Sequence, residues 1–173
     1  MSASYEERSQ AVIAGIESID PEYLLYLPSS TLKLVLQHFI DGSKDGRRVF
    51  PIPREEEGIS ILTGLALAGR RALMIFQDNG VGNLITSLLT FPQAYHVPLF
   101  GVVTRRGGIG EYNSMIHTVS KRTEALLDAA NIRWIQLDAR TPIDDWASAI
   151  SRGWEFAHTT HRPVFMLVNL MGG

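Results

Sequence analysis

The chain has 173 residues, 45% hydrophobic and 20% charged, a balance that buries one core without disulfide or metal staples. Its 16 Lys plus Arg against 18 Asp plus Glu leave a net charge of −2, which offers nucleic acid no basic field. The lack of cysteine excludes a disulfide scaffold, a thiolate metal site, an iron–sulfur cluster and a cysteine nucleophile, and it suits a reducing, cytoplasmic setting.

The opening segment MSASYEERSQ carries Glu6 and Glu7 and lacks the basic-then-apolar pattern of a signal peptide. Ala11, Val12, Gly15, Ile16 and Ile19 recur at helical spacing and predict a helix over Glu6–Ile19. A strand at Tyr23–Leu27 follows. The next helix, Thr31–Phe39, has Ser30 or Thr31 as a cap, and Gly42 and the Asp45-Gly46 pair end it in a loop. The strand Arg48–Pro51 leads to a helix over Glu55–Ala68, and the strand Ala72–Phe76 to one over Gly82–Phe91. The uncharged stretch from Asn79 to Thr104 is long enough for a bilayer, but Asn79, Asn83, Pro92, Gln93 and Pro98 interrupt it. It reads as buried strand–helix–strand, not as a membrane span, and it contains the strand Leu99–Thr104. A long helix over Ser114–Ala130 comes next, with Asn131 as a left-handed cap. The strand Arg133–Leu137 precedes a helix over Ile143–His158, opened by Thr141-Pro142 with the proline in its first turn. The last strand is Val164–Asn169.

Strands separated by helices imply parallel crossovers. The expected fold is therefore a three-layer α/β/α domain, residues 1–173, with a six-stranded, mainly parallel sheet. The ALMIF and VPLFGVV runs are nearly continuous apolar segments and read as its central strands. Ligands of such sheets bind beyond the carboxyl ends of the strands. That confines the search to the loops Pro28-Ser29-Ser30, Pro53-Arg54-Glu55, Gln77–Asn83, Arg105–Asn113 and Asp138–Thr141.

Three of these loops carry candidate chemistry. In Pro53-Arg54-Glu55-Glu56-Glu57-Gly58 three carboxylates open a helix, where acidic side chains complement the helix dipole. Glu55 also sits at the strand-to-helix junction, ahead of a helix too apolar for a solvated surface. A carboxyl held there can stay protonated and donate a hydrogen bond. Gln77-Asp78-Asn79-Gly80-Val81-Gly82-Asn83 reads either as a tight strand–helix turn or as a backbone cradle for a ligand. Position 85 is Ile85 and not glycine, so the dinucleotide fingerprint is incomplete. Arg105-Arg106-Gly107-Gly108-Ile109-Gly110-Glu111-Tyr112-Asn113 reads as a mobile surface loop or as a binder of carboxylate, phosphonate or sulfonate through arginine forks. Among the five histidines, His38 and His96 read as structural and His158 and His161 as residues of a helix end, so no metal site is assigned to the chain. His117, just after the glycine-rich loop, is retained as a candidate.

Together these segments resemble the pyrimidine-binding domain of thiamine diphosphate-dependent enzymes, specifically the family of the sulfopyruvate decarboxylase α subunit and the matching region of phosphonopyruvate decarboxylase. The resemblance runs from about Tyr23 onward, with the three loops in the family's order. REEEG followed by Gly64 resembles the catalytic glutamate helix, which implies Glu55 as the glutamate, with Glu56 the fallback if the register slips by one. QDNGVGN resembles the family's Q-N-S-G-L-G-N, and implies that Asn79, Gly80, Val81 and Gly82 lie against the cofactor's pyrimidine. Leu27-Pro28-Ser29-Ser30 resembles the substrate-side loop, and Arg106-Gly107 matches Trp-Arg-Gly with Arg105 in the aromatic's place. His117 falls where a Gln-His pair is common. The resemblance thus implies Pro28, Ser29, Ser30, Arg106 and His117 as substrate-side residues.

The implied activity is decarboxylation of a small anionic 2-oxo acid, sulfopyruvate or phosphonopyruvate, with thiamine diphosphate as cofactor. In the family the diphosphate and Mg2+ are held by a domain bearing Gly-Asp-Gly and a later Asn-Asn. Neither Asp41-Gly42 nor Asp45-Gly46 follows a glycine, and no downstream asparagine pair exists. A separate β subunit is therefore expected to hold Mg2+ and the diphosphate, in a hetero-oligomer containing paired α subunits, with no nucleic acid and no membrane as partner. The rival reading is a non-catalytic α/β module that binds a small anionic metabolite or scaffolds a partner enzyme.

Overall fold

The computed structural model describes residues 3–42, 46–109 and 111–171. Asp45 of the Asp45-Gly46 pair and Gly110 of the glycine-rich loop lie outside them. The helices are α1 (Tyr5–Ile19), α2 (Lys33–Asp41), α3 (Glu55–Leu67), α4 (Val81–Leu88), α5 (Ser114–Ser120), α6 (Thr123–Ala129) and α7 (Ile143–Thr160). The strands are β1 (Tyr23–Tyr26), β2 (Arg48–Pro51), β3 (Ala72–Gln77), β4 (Phe100–Thr104), β5 (Arg133–Leu137) and β6 (Val164–Val168). They form one six-stranded sheet in the order β2-β1-β3-β4-β6-β5, and every pairing is parallel. This is the α/β fold with helices on both faces that the alternation of periods implied. No helix among the described residues is long and apolar enough to cross a membrane.

The period-2 pattern of the central strands explains the three layers. Along β3, Leu73 and Ile75 face α1, α2 and α7, where they meet Val12, Ile16, Phe39, Trp146 and Ile150. Met74 and Phe76 face the other way, toward Ile59 and Leu62 of α3, Leu84 of α4 and Leu127 of α6. Strands β4 and β6 are buried at every residue, so a continuous apolar run marks a strand covered on both sides. Each such side chain contributes about 1.5–3 kcal/mol of burial.

Four local expectations are corrected. Neither Ser30 nor Thr31 caps α2. Ser30–Leu32 is a 3-10 turn, and the Thr31 hydroxyl instead meets Ser29 Oγ at 3.0 Å and Thr104 Oγ1 at 3.3 Å. The helix after β3 stops at Leu88 and widens into a π-turn over Leu89–Gln93, because Pro92 has no N–H to continue the ladder. The single helix expected over Ser114–Ala130 is two helices, broken at Lys121–Arg122. The break falls where Ser120 turns its hydroxyl to Asp78 and its carbonyl receives Arg105. Pro142 is the N-cap of α7 rather than a first-turn residue. Asn131, as expected, is left-handed, at φ 52°.

The register sets the working edge. Gln77 of β3 pairs with Thr104 of β4, Thr104 with Val168 of β6, and Val168 with Leu137 of β5. The carboxyl ends of four strands are flush, so the residues that follow, Asp78, Arg105, Asn169 and Asp138, emerge at one level.

Candidate functional site

Glu55 is the first residue of α3, and of the three acidic residues there its side chain is the buried one, at 9% exposure. Its Oε2 accepts a hydrogen bond from Asn83 Nδ2 at 3.0 Å. On its other side lies Gly80, where an added Cβ would stand 2.0 Å from Glu55 Oε1 and 2.5 Å from its Cγ. The glycine is thus a steric requirement of the carboxyl's position. Glu56 Oε1 pairs with Arg54 Nε at 2.5 Å while its Oε2 is buried, and its own backbone N–H and Arg54 hold its carboxyl below the ordinary value. Glu57 is exposed. Geometrically, only Glu55 of the acidic triplet faces the loop after β3. That loop begins as a 3-10 turn, Asp78–Gly80, whose last residue leads into α4 with Val81 buried and Gly82 exposed. Asn79 is half-buried beside it.

Asp78 is fully buried, yet it is no ligand-facing residue. Its Oδ2 accepts from Arg105 Nη1 at 2.6 Å and from the Arg106 backbone N–H at 3.0 Å, and its Oδ1 accepts from Ser120 Oγ at 2.8 Å. Arg105 continues to the Ser120 carbonyl at 2.7 Å and to Glu124 at 2.7 Å. A buried carboxylate persists only when paired and hydrogen-bonded, and this one is both. Arg105 is therefore consumed by the fold, and Arg106 is left as the arginine of the loop that faces the edge.

Arg106 is one of the residues expected on the substrate side. Its Nη1 lies 3.4 Å from Gln77 Oε1, which also accepts from Ser29 Oγ at 2.7 Å. The ends of β1, β3 and β4 are so joined through Ser29, Gln77 and Arg106. The same guanidinium grips Glu111 Oε2 through Nε at 2.8 Å and Nη2 at 2.5 Å. His117 Nε2 lies 2.5 Å from the Glu111 backbone carbonyl. Burial pushes the Glu111 carboxyl up, but Arg106, the Asn113 N–H and neighbouring His117 outweigh that and hold it below its ordinary value. The Arg106–Glu111 attraction is consequently complete at neutral pH and is lost as pH falls through the lowered value. Ser30, Thr31, Arg106, Glu111 and Tyr112 line a cleft of about 610 Å3. Pro28 is exposed at the turn after β1 and does not line it.

Ser120 and Glu111 carry no sequence signal of their own, and Gln77 and Asp78 enter only as the first residues of the QDNGVGN segment. The one signal within reach was register: Asp78 and Arg105 directly follow the paired residues Gln77 and Thr104 on neighbouring strands. His158 and His161 end α7, the first against the Trp154 carbonyl at 2.9 Å and the second left-handed at φ 52°. Among the described residues no three His, Asp or Glu side chains converge as a metal site.

No protein-family profile matches the chain. It is 28% identical over 163 residues to the sulfopyruvate decarboxylase subunit alpha of Methanococcus maripaludis, spanning 94% of this chain and 95% of that one. It is 29% identical over 136 residues to the subunit of the same designation from Methanothermobacter thermautotrophicus, spanning 79% of this chain and 78% of that one. In three dimensions it matches a 2-oxoglutarate:ferredoxin oxidoreductase from Magnetococcus marinus with a TM-score of 0.68 and 17% identity, over 96% of this chain and 28% of that one. At that identity the likeness is one of fold. The chain thus spans about a quarter of that much longer enzyme, but nearly the whole of the first subunit.

Proposed function

We propose that this chain, a relative of the sulfopyruvate decarboxylase α subunits, is itself the α subunit of a thiamine diphosphate-dependent 2-oxo acid decarboxylase. Its substrate is sulfopyruvate or a related anionic pyruvate such as phosphonopyruvate. The observation that carries the reading is the Glu55 carboxyl, buried at the sheet's working edge, braced by Asn83 and fitted against a glycine that cannot be anything larger.

The residues fit the pyrimidine end of the cofactor. Glu55 Oε2 is held by Asn83, while Oε1 has no hydrogen-bond partner among the described residues and would be the atom that shares a proton with a ring nitrogen of the bound cofactor. Asn79, Gly80, Val81 and Gly82 present backbone rather than bulk, the surface a planar ring needs. When bound, thiamine diphosphate supplies the electron sink that decarboxylation of a 2-oxo acid requires. The chain's own part is to orient and to pair charge. Arg106 meets the substrate's second anionic group, with Ser29, Ser30 and His117 beside it and Pro28 shaping the turn that carries the serines.

The diphosphate and Mg2+ are not accommodated by this chain's Asp-Gly pairs. Gly42 ends α2, and Gly46 precedes β2 by two residues, so both lie toward the amino edge of the sheet, opposite Glu55. A β subunit holding those groups completes the site. A protein partner also accounts for the outer face of α3 and the turn after α4, where Leu67 at 64% and Phe91 at 42% exposure line one shallow groove. The assembly is a hetero-oligomer in which α subunits are paired, and its setting is the cytoplasm.

Calorimetry tests the shared site. Thiamine diphosphate with Mg2+ titrated into the chain alone is expected to give no saturable heat, and titrated into the chain mixed with its β subunit to give saturable binding. Equal binding by the chain alone overturns the division of the site. Within the complex, Gly80→Ala is expected to lower turnover about 10²-fold, because the new methyl must displace the Glu55 carboxyl. Turnover within twofold of the parent would detach Gly80 from that role.

A further inference from the structure

Both substrate-side residues that carry charge or a ring nitrogen, Arg106 and His117, are engaged by a single residue that no sequence signal marked. Glu111 places one carboxylate oxygen, Oε2, between Nε and Nη2 of Arg106, so it occupies the edge through which arginine receives an anion. Its other oxygen accepts from the Asn113 backbone N–H at 3.1 Å, and its carbonyl meets His117. Its side chain is 9% exposed and stands in the wall of the cleft beside Ser30 and Thr31.

We propose that Glu111 is an internal competitor for the anion site of Arg106, a stand-in that a 2-oxo acid bearing a second anionic group must displace. The proposal rests on the assignment of Arg106 as the anion-binding residue. An incoming sulfonate or phosphonate offers Arg106 three oxygens in place of the one it holds, and the released Glu111 carboxylate moves out to water. A 2-oxo acid whose far end is a methyl group offers Arg106 nothing to exchange, so it binds with the Glu111 pair intact. Glu111 thus weakens the binding of the anionic substrate and leaves that of a methyl-ended one untouched, while it holds the guanidinium in place in the empty site.

The test uses the full chain and sulfoacetate, a stable sulfonate with a carboxylate. By calorimetry, Glu111→Gln and Glu111→Ala are each expected to bind sulfoacetate about tenfold more tightly than the parent, since the competing charge is gone, and Arg106→Ala to lose binding. In the assembled enzyme both Glu111 variants should lower kcat/KM for pyruvate relative to sulfopyruvate, since only the anionic substrate has the competitor to displace. If the variants bind no better than the parent, or nothing binds, Glu111 is a loop pin and the proposal falls. If Arg106→Ala binds as well as the parent, the assignment of Arg106 falls first, which separates the two failures. A readout on the unsubstituted chain guards against a misfolded variant. Saturating sulfoacetate should shift the Asn113 amide resonance, whose acceptor is Glu111 Oε1, whereas an Asn113 amide that does not move overturns the release of Glu111.

Discussion

Glu55→Gln in the assembled enzyme is expected to lower the rate of carbon dioxide release by at least about 10²–10⁴-fold, the range over which a positioned proton-transfer group acts. Glutamine has the size of glutamate, so the space against Gly80 and the contact with Asn83 both survive. Only the ability to share a proton at Oε1 is removed. The melting temperature and the chain's association with its partner should therefore be unchanged, and the loss should appear in kcat. Glu56→Gln is the matched control. Its carboxylate pairs with Arg54, which is 61% exposed, and surface pairs contribute about 0–1 kcal/mol. Turnover in that variant should stay within about twofold of the parent. A silent Glu55→Gln beside an inactive Glu56→Gln would show that the register of the acidic triplet had been misassigned.

The second large effect is on stability. Asp78→Ala leaves Arg105, 16% exposed, with Glu124 as its remaining carboxylate and leaves Ser120 Oγ and the Arg106 N–H without their acceptor. Removing one partner of a buried pair costs roughly 3–5 kcal/mol. In a chain of this size that lowers the melting temperature on the order of 10 °C. Arg105→Ala should cost at least as much, since it leaves the fully buried Asp78 carboxylate with hydrogen bonds from Ser120 Oγ and the Arg106 N–H but without its cation. The double variant should cost clearly less than the sum of the two, because the residues act as one unit. Urea unfolding of the four proteins reads this directly. A cost below about 1 kcal/mol for Asp78→Ala would mean that water reaches the site and that the network does not brace the loop.

The layers of the fold were readable because they rest on local periodicity. Six apolar runs became six strands within a residue or two, and the continuous runs around Met74 and Val102 became strands covered on both faces. The break between α5 and α6 was not readable. Helical spacing continues across Lys121–Arg122, and what interrupts it is a hydrogen bond from Arg105, far away in sequence. The candidate site divides the same way. Glu55 and Gly80 could be singled out because each stands at a strand-to-helix junction, where the sheet architecture places ligands. That Glu55 rather than Glu56 turns inward follows from the first turn of α3 and from the glycine opposite, neither visible in one segment alone. Asp78 and Arg105, read separately, were two departures from a motif. The flush ends of β3 and β4 make them neighbours and a pair. Glu111 is the extreme case, an acidic residue in a glycine-rich loop whose meaning lies wholly in the guanidinium it meets.

Carbon dioxide release from sulfopyruvate by the chain, by its β subunit and by their mixture, each with thiamine diphosphate and Mg2+, reads the division of the active site directly. The shared-site account predicts release by the mixture alone, abolished by Glu55→Gln. A mixture that forms a stable complex, saturates with cofactor and still releases nothing from sulfopyruvate or phosphonopyruvate would contradict it, as would full turnover by the chain alone.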